Sequence, residues 1–251
     1  MANTQGEFIW YELLGHEPEA SARFYQPILG WKAQSAGPEF GDYRILEADG
    51  VGVGGLSTCP DPATRPGWFG YIGVDDVDKT AADVVAWGGA QHVPPTDIPG
   101  VGRFAMLADP QGIVFYVMRG ASPERSEAFA AEAVGHCRWN ELSTPDPVAA
   151  LEFYTRLGMQ KGDVMPMGEM GDYQFIHAGG MMIGAIMKAA PGAPAQWNYY
   201  FGVDDIDRAA KAVEAGGGRM QQQPMEIPGG EYSMMAIDPQ GASVGFVGPR
   251  K

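Results

Sequence analysis

The feature that most constrains this sequence is an internal repeat. Residues 68–118 align without gaps with residues 197–247 and are identical to them at 21 of 51 positions. The segments WYELLGHEPEASARFY (10–25) and WNELSTPDPVAALEFY (139–154) correspond at the same offset of 129 residues. Such self-similarity indicates duplicated modules. We predict modules at residues 1–119 and 136–251, joined by a polar surface linker over residues 120–135 in which a helical turn could form.

Within each module, short strand-forming runs and amphipathic helix patterns follow a fixed order. FIWYELL is typical of a strand, and EPEASARFYQPIL predicts a helix that begins near a proline and ends at Gly30. A hairpin is indicated at Asp49-Gly50, and a second helix begins at Asp76 as N-cap and ends at Gly88 or Gly89. The order β-α-β-β-β therefore occurs twice in each module.

Composition excludes several classes of partner. With 31 acidic and 17 basic residues the net charge is -14, which repels phosphate backbones, so we expect no nucleic-acid partner. No run of 18 apolar residues and no signal-peptide pattern occurs, which predicts a cytoplasmic protein without a membrane partner. Because both modules lie in one chain, we expect a monomer or a homodimer. Cys59 and Cys137 are far apart, and we interpret them as reduced structural thiols.

Four kinds of landmark carry a family resemblance: the segments EPEASARFY…LGW and DPVAALEFY…LG, the helix starts VDDVD and VDDID, and the DPQG turns at 109–112 and 238–241. Together they resemble the vicinal oxygen chelate superfamily, which includes glyoxalase I, the bleomycin resistance proteins, fosfomycin resistance enzymes and extradiol dioxygenases. The resemblance covers nearly the whole chain. It implies an α+β fold in which tandem βαβββ modules form curved half-barrel sheets around clefts, with metal ligands projecting inward.

The same resemblance places three metal-ligand positions in each module. They fall on Trp10, Phe69 and Tyr116 in the first module, and on Trp139, Asn198 and Gly245 in the second. At the second position only Asn198 carries an oxygen, and an amide oxygen is a weak ligand for a transition metal. We therefore predict that the chain holds no metal and no other cofactor. The DPQG turns are then interpreted as kept for backbone geometry, because proline fixes one corner and glycine adopts conformations that strain other residues.

Two glutamates remain as candidate functional groups. Because strand side chains alternate, Glu12 and Glu141 should face the same way as Trp10 and Trp139, into the clefts. A buried carboxylate needs a partner or a raised pKa. In one interpretation these residues bind a ligand or act as a base, with Tyr116 as hydrogen-bond donor. In the other interpretation, both glutamates form hydrogen bonds with tyrosine hydroxyls or with backbone groups across the junction between the modules.

The surrounding side chains suggest what the clefts bind. The predicted ligand-binding residues are Trp10, Phe69, Trp139, Asn198 and His177, since aromatic rings suit flat or cationic organic groups. Trp68 and Trp197, in contrast, are expected in the core. Three functions stay open: a glyoxalase-like protein that binds, and in one version transforms, a small aromatic or cationic molecule without metal; a non-catalytic sequestering protein of the bleomycin-resistance type; and a metal-dependent lyase or dioxygenase with non-standard ligands.

Overall fold

The computed structural model describes residues 3–251, which form four α-helices and sixteen β-strands. The helices are α1 (Pro18–Leu29), α2 (Val77–Ala86), α3 (Pro147–Arg156) and α4 (Ile206–Ala215). The strands of the first module are β1 (Phe8–Gly15), β2 (Lys32–Ser35), β3 (Arg44–Ala48), β4 (Val51–Thr58), β5 (Gly67–Gly73), β6 (Ala90–Ile98), β7 (Gly102–Ala108) and β8 (Val114–Gly120). Those of the second are β9 (Cys137–Thr144), β10 (Gln160–Pro166), β11 (Asp172–Ala178), β12 (Met181–Lys188), β13 (Gln196–Gly202), β14 (Arg219–Glu226), β15 (Tyr232–Ile237) and β16 (Ser243–Gly248).

The order β-α-β-β-β occurs four times, so the predicted α+β fold of tandem βαβββ modules is confirmed. The strands form two eight-stranded sheets, β2-β3-β4-β1-β5-β8-β7-β6 and β10-β11-β12-β9-β13-β16-β15-β14. Within each sheet, the first and last strands of a βαβββ repeat pair in parallel, as β1 does with β4 and β5 with β8. The exact limits proposed for the modules and linker stay a prediction.

The chain divides into two compact units, and each unit takes half of each module. The first unit contains residues 3–9, 70–126 and 140–197, so it holds α2, β6–β8, α3 and β10–β12. The second contains residues 10–69, 127–139 and 198–251, so it holds α1, β2–β4, α4 and β14–β16. The two compact units therefore do not coincide with the two modules of the sequence repeat.

Local signals in the sequence predict the ends of elements well. Helix α1 ends at Gly30, whose φ of 74° is left-handed, and the Asp76 side chain accepts a hydrogen bond from the Lys79 amide at the start of α2. The hairpin between β3 and β4 turns at Asp49 and Gly50, both with positive φ. The helical turn suggested for the linker is wrong: residues 121–135 contain no helix, and Ala128 among them is fully buried.

Both DPQG turns are organised by their aspartates. The Asp109 carboxylate accepts hydrogen bonds from the amides of Gln111 and Ile113, and Gly112 has a φ of 82°. In the second copy, Asp238 accepts from the amides of Gln240 and Ala242 in the same way. The turn geometry is thus built from the acid as well as from proline and glycine.

The second oxygen of each aspartate accepts a hydrogen bond from a buried tyrosine of the other module. In the second unit, Trp68 Nε1 donates to the Tyr25 hydroxyl at 3.0 Å, which donates to Asp238 Oδ2 at 3.0 Å. We call this arrangement the Trp–Tyr–Asp triad. The first unit repeats it with Trp197, Tyr154 and Asp109, at 3.0 and 3.3 Å. Trp68 and Trp197 are 6% and 4% exposed, which confirms that they belong to the core.

The glutamine of each DPQG turn holds the beginning of a helix from the other module. Gln240 accepts hydrogen bonds from the amides of His16 and Glu17 and donates to Ser21 Oγ, all at the start of α1. Gln111 exchanges two hydrogen bonds with the backbone of Asp146, the N-cap of α3. Each turn therefore fastens a strand of one module to a helix of the other.

The two cysteines are free and buried, as expected for structural thiols. Burial raises the pKa of Cys137 to about 12 and also raises that of Cys59. A thiol with a raised pKa is a poor nucleophile at neutral pH, because the thiolate is the reactive form.

We expect Tyr25→Phe to lower the free energy of unfolding by about 1–3 kcal/mol, because it leaves the Trp68 indole N–H and one Asp238 oxygen buried without this partner. Urea unfolding followed by circular dichroism measures the change. The matched control is Tyr43→Phe, since Tyr43 is half-buried and should cost less. Equal losses in the two variants would contradict a special role for the triad.

The aspartates of the triads also predict that the free energy of unfolding depends on pH. Burial, as the largest cause, raises the pKa of Asp109 and of Asp238. A carboxyl whose pKa is higher in the folded state contributes stability that is complete below its unfolded pKa of about 3.9 and is lost as pH rises through the folded pKa. Because asparagine does not titrate, wild type should lose stability relative to Asp238→Asn as pH increases above about 4. A difference in unfolding free energy that stays constant with pH would refute this.

Candidate functional site

The first candidate site joins three side chains of the second unit. Trp10 Nε1 on β1 donates a hydrogen bond to the Tyr43 hydroxyl at 2.8 Å, and that hydroxyl donates to Glu12 Oε2 at 3.4 Å. Glu12 is 7% exposed, whereas Trp10 and Tyr43 are half-buried. Trp10 and Glu12 therefore do face the same way, as strand alternation predicts.

The strand register explains how Tyr43 reaches Glu12. Glu12 on β1 is the parallel partner of Gly55 on β4, and Gly55 is in turn the partner of Ile45 on β3. Any side chain at Gly55 would clash with the Tyr43 hydroxyl. The absence of a side chain there lets the tyrosine lie across β4 to the carboxylate.

The second module repeats the pair in the first unit. The Tyr173 hydroxyl donates to Glu141 Oε2 at 2.7 Å, and Ala185 takes the place of Gly55 beside the glutamate. Unlike Glu12, Glu141 is half-buried. A carboxylate that solvent reaches, next to a phenol, can accept a further hydrogen bond or hold a cation.

Apolar side chains accompany Glu141 on the same face of the sheet. Registered strand partners point to one side. Phe175 pairs with Ala185, which pairs with Glu141, while Met165 pairs with Tyr173. Phe175 also packs edge-to-face on Tyr173, with ring centroids 5.6 Å apart. Phe175, Tyr173 and Met165 are all half-buried, so this face combines an acid, a phenol and accessible apolar surface.

Tyr116 is placed in a ring stack. It is the parallel strand partner of Tyr71, and the two rings stack with centroids 4.4 Å apart and planes at 13°. Tyr116 is 6% exposed. The corresponding residue of the second module is Gly245, which has no side chain and is the parallel strand partner of Tyr200.

The remaining predicted residues are half-buried strand residues. Phe69 lies on β5, Trp139 on β9 and Asn198 on β13. His177 on β11 pairs with Gln160 on the edge strand β10, and its ring lies against Gly162. The catalytic roles of Glu12, Glu141 and Tyr116, and the ligand-binding roles of the others, stay predictions.

Sequence reasoning missed Tyr43 and Tyr173, the hydrogen-bond donors to both glutamates. A signal for them was present, because both stand in an identical tripeptide, GDY, at residues 41–43 and 171–173. Its importance becomes clear only when the strand register brings it beside the glutamates. The second interpretation correctly predicted hydrogen bonds between the glutamates and tyrosine hydroxyls. It placed those bonds across the module junction, whereas Tyr43 and Tyr173 each belong to the same module as the glutamate they contact.

The residues at the superfamily's metal positions do not fit a transition metal. An indole N–H can only donate a hydrogen bond and cannot ligate a metal, and the N–H of Trp10 donates to the Tyr43 hydroxyl. The side chains of phenylalanine and glycine have no ligating atom. The two remaining residues are Tyr116, whose ring stacks on Tyr71, and Asn198, which offers an amide oxygen. Among residues 3–251, no group of three or more His, Cys, Asp or Glu side chains could hold a metal ion.

Comparison with known proteins establishes the family. The sequence profile of the Glyoxalase/Bleomycin resistance protein/Dioxygenase superfamily matches residues 8–117 and 133–246. The chain belongs to this superfamily, and the resemblance inferred from the sequence is confirmed. Within the described residues, no helix combines the length and apolar character needed to cross a membrane.

Relatives match over nearly their whole length. "Putative glyoxylase CFP32" of Mycobacterium bovis is 31% identical over 98% of this chain and 95% of its own. "Anthracycline biosynthesis protein DnrV" of Streptomyces peucetius is 30% identical over 95% of this chain and 91% of its own. A solved structure, the Mn(II)-bound glyoxalase from Novosphingobium aromaticivorans, has a TM-score of 0.67 at 18% identity, covering 99% of this chain and 84% of that one. That last likeness concerns the fold alone.

We expect the purified protein to carry no stoichiometric transition metal, because five of the six superfamily positions hold tryptophan, phenylalanine, tyrosine or glycine. Elemental analysis by mass spectrometry after dialysis tests this. About one Zn, Ni, Mn or Fe per chain, lost on replacing Glu141 or His177, would overturn the prediction and indicate non-standard ligands.

Proposed function

We propose that this chain binds a small organic molecule, carrying a cationic or hydrogen-bond-donating group, at the Glu141–Tyr173 pair of its second module and without a metal ion. The observation that carries the proposal is the environment of Glu141. Its carboxylate accepts a 2.7 Å hydrogen bond from Tyr173, remains half-buried, and shares a sheet face with Phe175 and Met165.

The physical chemistry of this face favours an amphipathic ligand. A partly desolvated carboxylate forms charge-assisted hydrogen bonds that are roughly twice as strong as neutral ones. Aromatic and thioether side chains contact the apolar part of a ligand and adapt to its shape. The net charge of -14 further attracts cations and repels anions. A small organic amine satisfies all three conditions.

The first module is less suited to the same task. Glu12 is 7% exposed, and its tyrosine partner already accepts a hydrogen bond from Trp10. An amine that bound there would have to displace these groups from a nearly closed site. We therefore assign ligand binding to Glu141 and a mainly structural role to Glu12.

The relatives support an organic ligand of this kind. The superfamily is named partly for bleomycin resistance, one relative is named for anthracycline biosynthesis, and another as a glyoxylase. These names concern those proteins. They agree with a ligand that is an organic compound rather than a macromolecule.

Isothermal titration with 1-naphthylmethylamine, which is protonated at neutral pH, tests the proposal. We expect Glu141→Gln to weaken binding by about 1.5–3 kcal/mol, because it removes a charged hydrogen-bond acceptor, and Tyr173→Phe to weaken it by about 1 kcal/mol. The neutral analogue 1-naphthalenemethanol should be affected less by Glu141→Gln, since its hydroxyl needs no counter-charge.

The duplicated module supplies matched controls. Glu12→Gln and Tyr43→Phe are the same substitutions at the same strand positions of the first module, and we expect them to leave the affinity for the amine unchanged. Thermal melts establish that every variant is folded. If Glu12→Gln abolishes binding while Glu141→Gln does not, the ligand site lies in the first module and the assignment is wrong.

A further inference from the structure

The Glu12 carboxylate of the first module is almost closed off from solvent. Its side chain is 7% exposed, and the Tyr43 hydroxyl lies 3.4 Å from Glu12 Oε2. Tyr43 reaches this position across Gly55, the strand partner of Glu12. Where a Cβ atom on Gly55 would stand, the hydroxyl and outer ring atoms of Tyr43 stand instead. The tyrosine thus uses the space beside a residue without a side chain to lie next to the acid.

The second module has a methyl group at this place. Ala185 is the parallel strand partner of Glu141, as Gly55 is of Glu12. Its methyl group points to the same face as the glutamate, because registered strand partners share a face. Ala185 is fully buried, so other atoms already pack around that methyl group. A phenol hydroxyl cannot occupy the same volume.

Tyr173 therefore takes a different path to its glutamate. It stands two residues before the antiparallel strand partner of Ala185, as Tyr43 stands two residues before that of Gly55, so the two tyrosines start from equivalent backbone positions. Tyr173 approaches Glu141 to 2.7 Å, yet this glutamate stays half-buried, whereas that of the first module is nearly closed. The residue between tyrosine and glutamate differs by one methyl group.

We propose that the methyl group of Ala185 keeps Tyr173 away from the backbone of β12 and so holds the Glu141 carboxylate open to a ligand. Ala185 is then a positioning residue for the function proposed above, on which this inference rests, because it acts through the tyrosine. Gly55 has the opposite effect in the first module, where it lets Tyr43 close over the acid. One methyl group decides which glutamate of the repeat can meet a cation.

Reaction of carboxylates with a water-soluble carbodiimide and glycinamide, quantified for each residue by peptide mass spectrometry, measures this opening without a specific ligand. We expect Ala185→Gly to slow the labelling of Glu141 towards the rate of Glu12. The same variant should weaken binding of 1-naphthylmethylamine about tenfold, the factor that corresponds to one charged hydrogen bond. The opposite change, Gly55→Ala, displaces the far end of the Tyr43 side chain and should speed the labelling of Glu12.

Matched controls change a methyl group elsewhere in the two sheets. Ala178→Gly removes a buried methyl group from the other face of β11 and should leave the labelling of Glu141 unchanged. Gly52→Ala adds a methyl group on β4 at an ordinary contact distance of 3.5 Å from the Trp10 ring, and should leave the labelling of Glu12 unchanged. Thermal melts establish which variants are folded.

The outcomes separate this inference from the function on which it rests. If Ala185→Gly and Gly55→Ala fold and label Glu141 and Glu12 at wild-type rates, the inference is wrong, whereas amine binding lost in Glu141→Gln would still support the proposed function. If both rates change as expected but wild type binds no amine, the proposed function is refuted and the effect of Ala185 stands. Should one variant not fold, the other decides, since each reports on its own glutamate.

Discussion

The interaction on which this structure depends is the buried hydrogen bond between a tyrosine and the aspartate of a DPQG turn. Tyr25 reaches Asp238 and Tyr154 reaches Asp109, each across a long stretch of sequence and between modules. Because the surroundings are desolvated, an unmatched donor or carboxylate there would cost far more than the bond itself contributes. The same aspartate also organises its turn, and the neighbouring glutamine holds a helix start. One short motif thus sets the turn, the helix and the packing between modules.

The distinction between local and long-range causes explains what the sequence could predict. Helix ends at Gly30 and Asp76 and the hairpin at Asp49 depend on residues within a few positions, and all were predictable. The duplicated order of elements followed from the repeat. The pairing of Tyr25 with Asp238, in contrast, joins residues 213 positions apart, and no periodicity or spacing encodes it. The same limitation applies to the division into compact units that combine halves of two modules.

The candidate site shows the same division between what sequence predicts and what it leaves out. Alternation along β1 correctly placed Glu12 beside Trp10, because it depends only on the strand period. Tyr43 could not be assigned to that site, since its approach depends on the register of β1 with β4 and on the missing side chain at Gly55. The unequal exposure of Glu12 and Glu141 is likewise a property of the folded chain. The two glutamates, at corresponding positions of the repeat, therefore lie in environments that differ in exposure.

The duplication itself does not decide whether the glutamates are structural, although a symmetric structural contact would need both copies. The Trp–Tyr–Asp triads already supply a symmetric contact between modules, with nearly equal distances in the two units. The Glu–Tyr pairs are less alike, with hydrogen-bond lengths of 3.4 and 2.7 Å. In addition, the first module has the aromatic ring of Tyr116 at a position where the second module has Gly245. Since the triads, together with the DPQG glutamines, fasten the modules, the two sheet faces were free to diverge. In the first module Tyr71 and Tyr116 fill one face with stacked, buried rings, whereas Glu141 of the second module stays half-buried beside Tyr173.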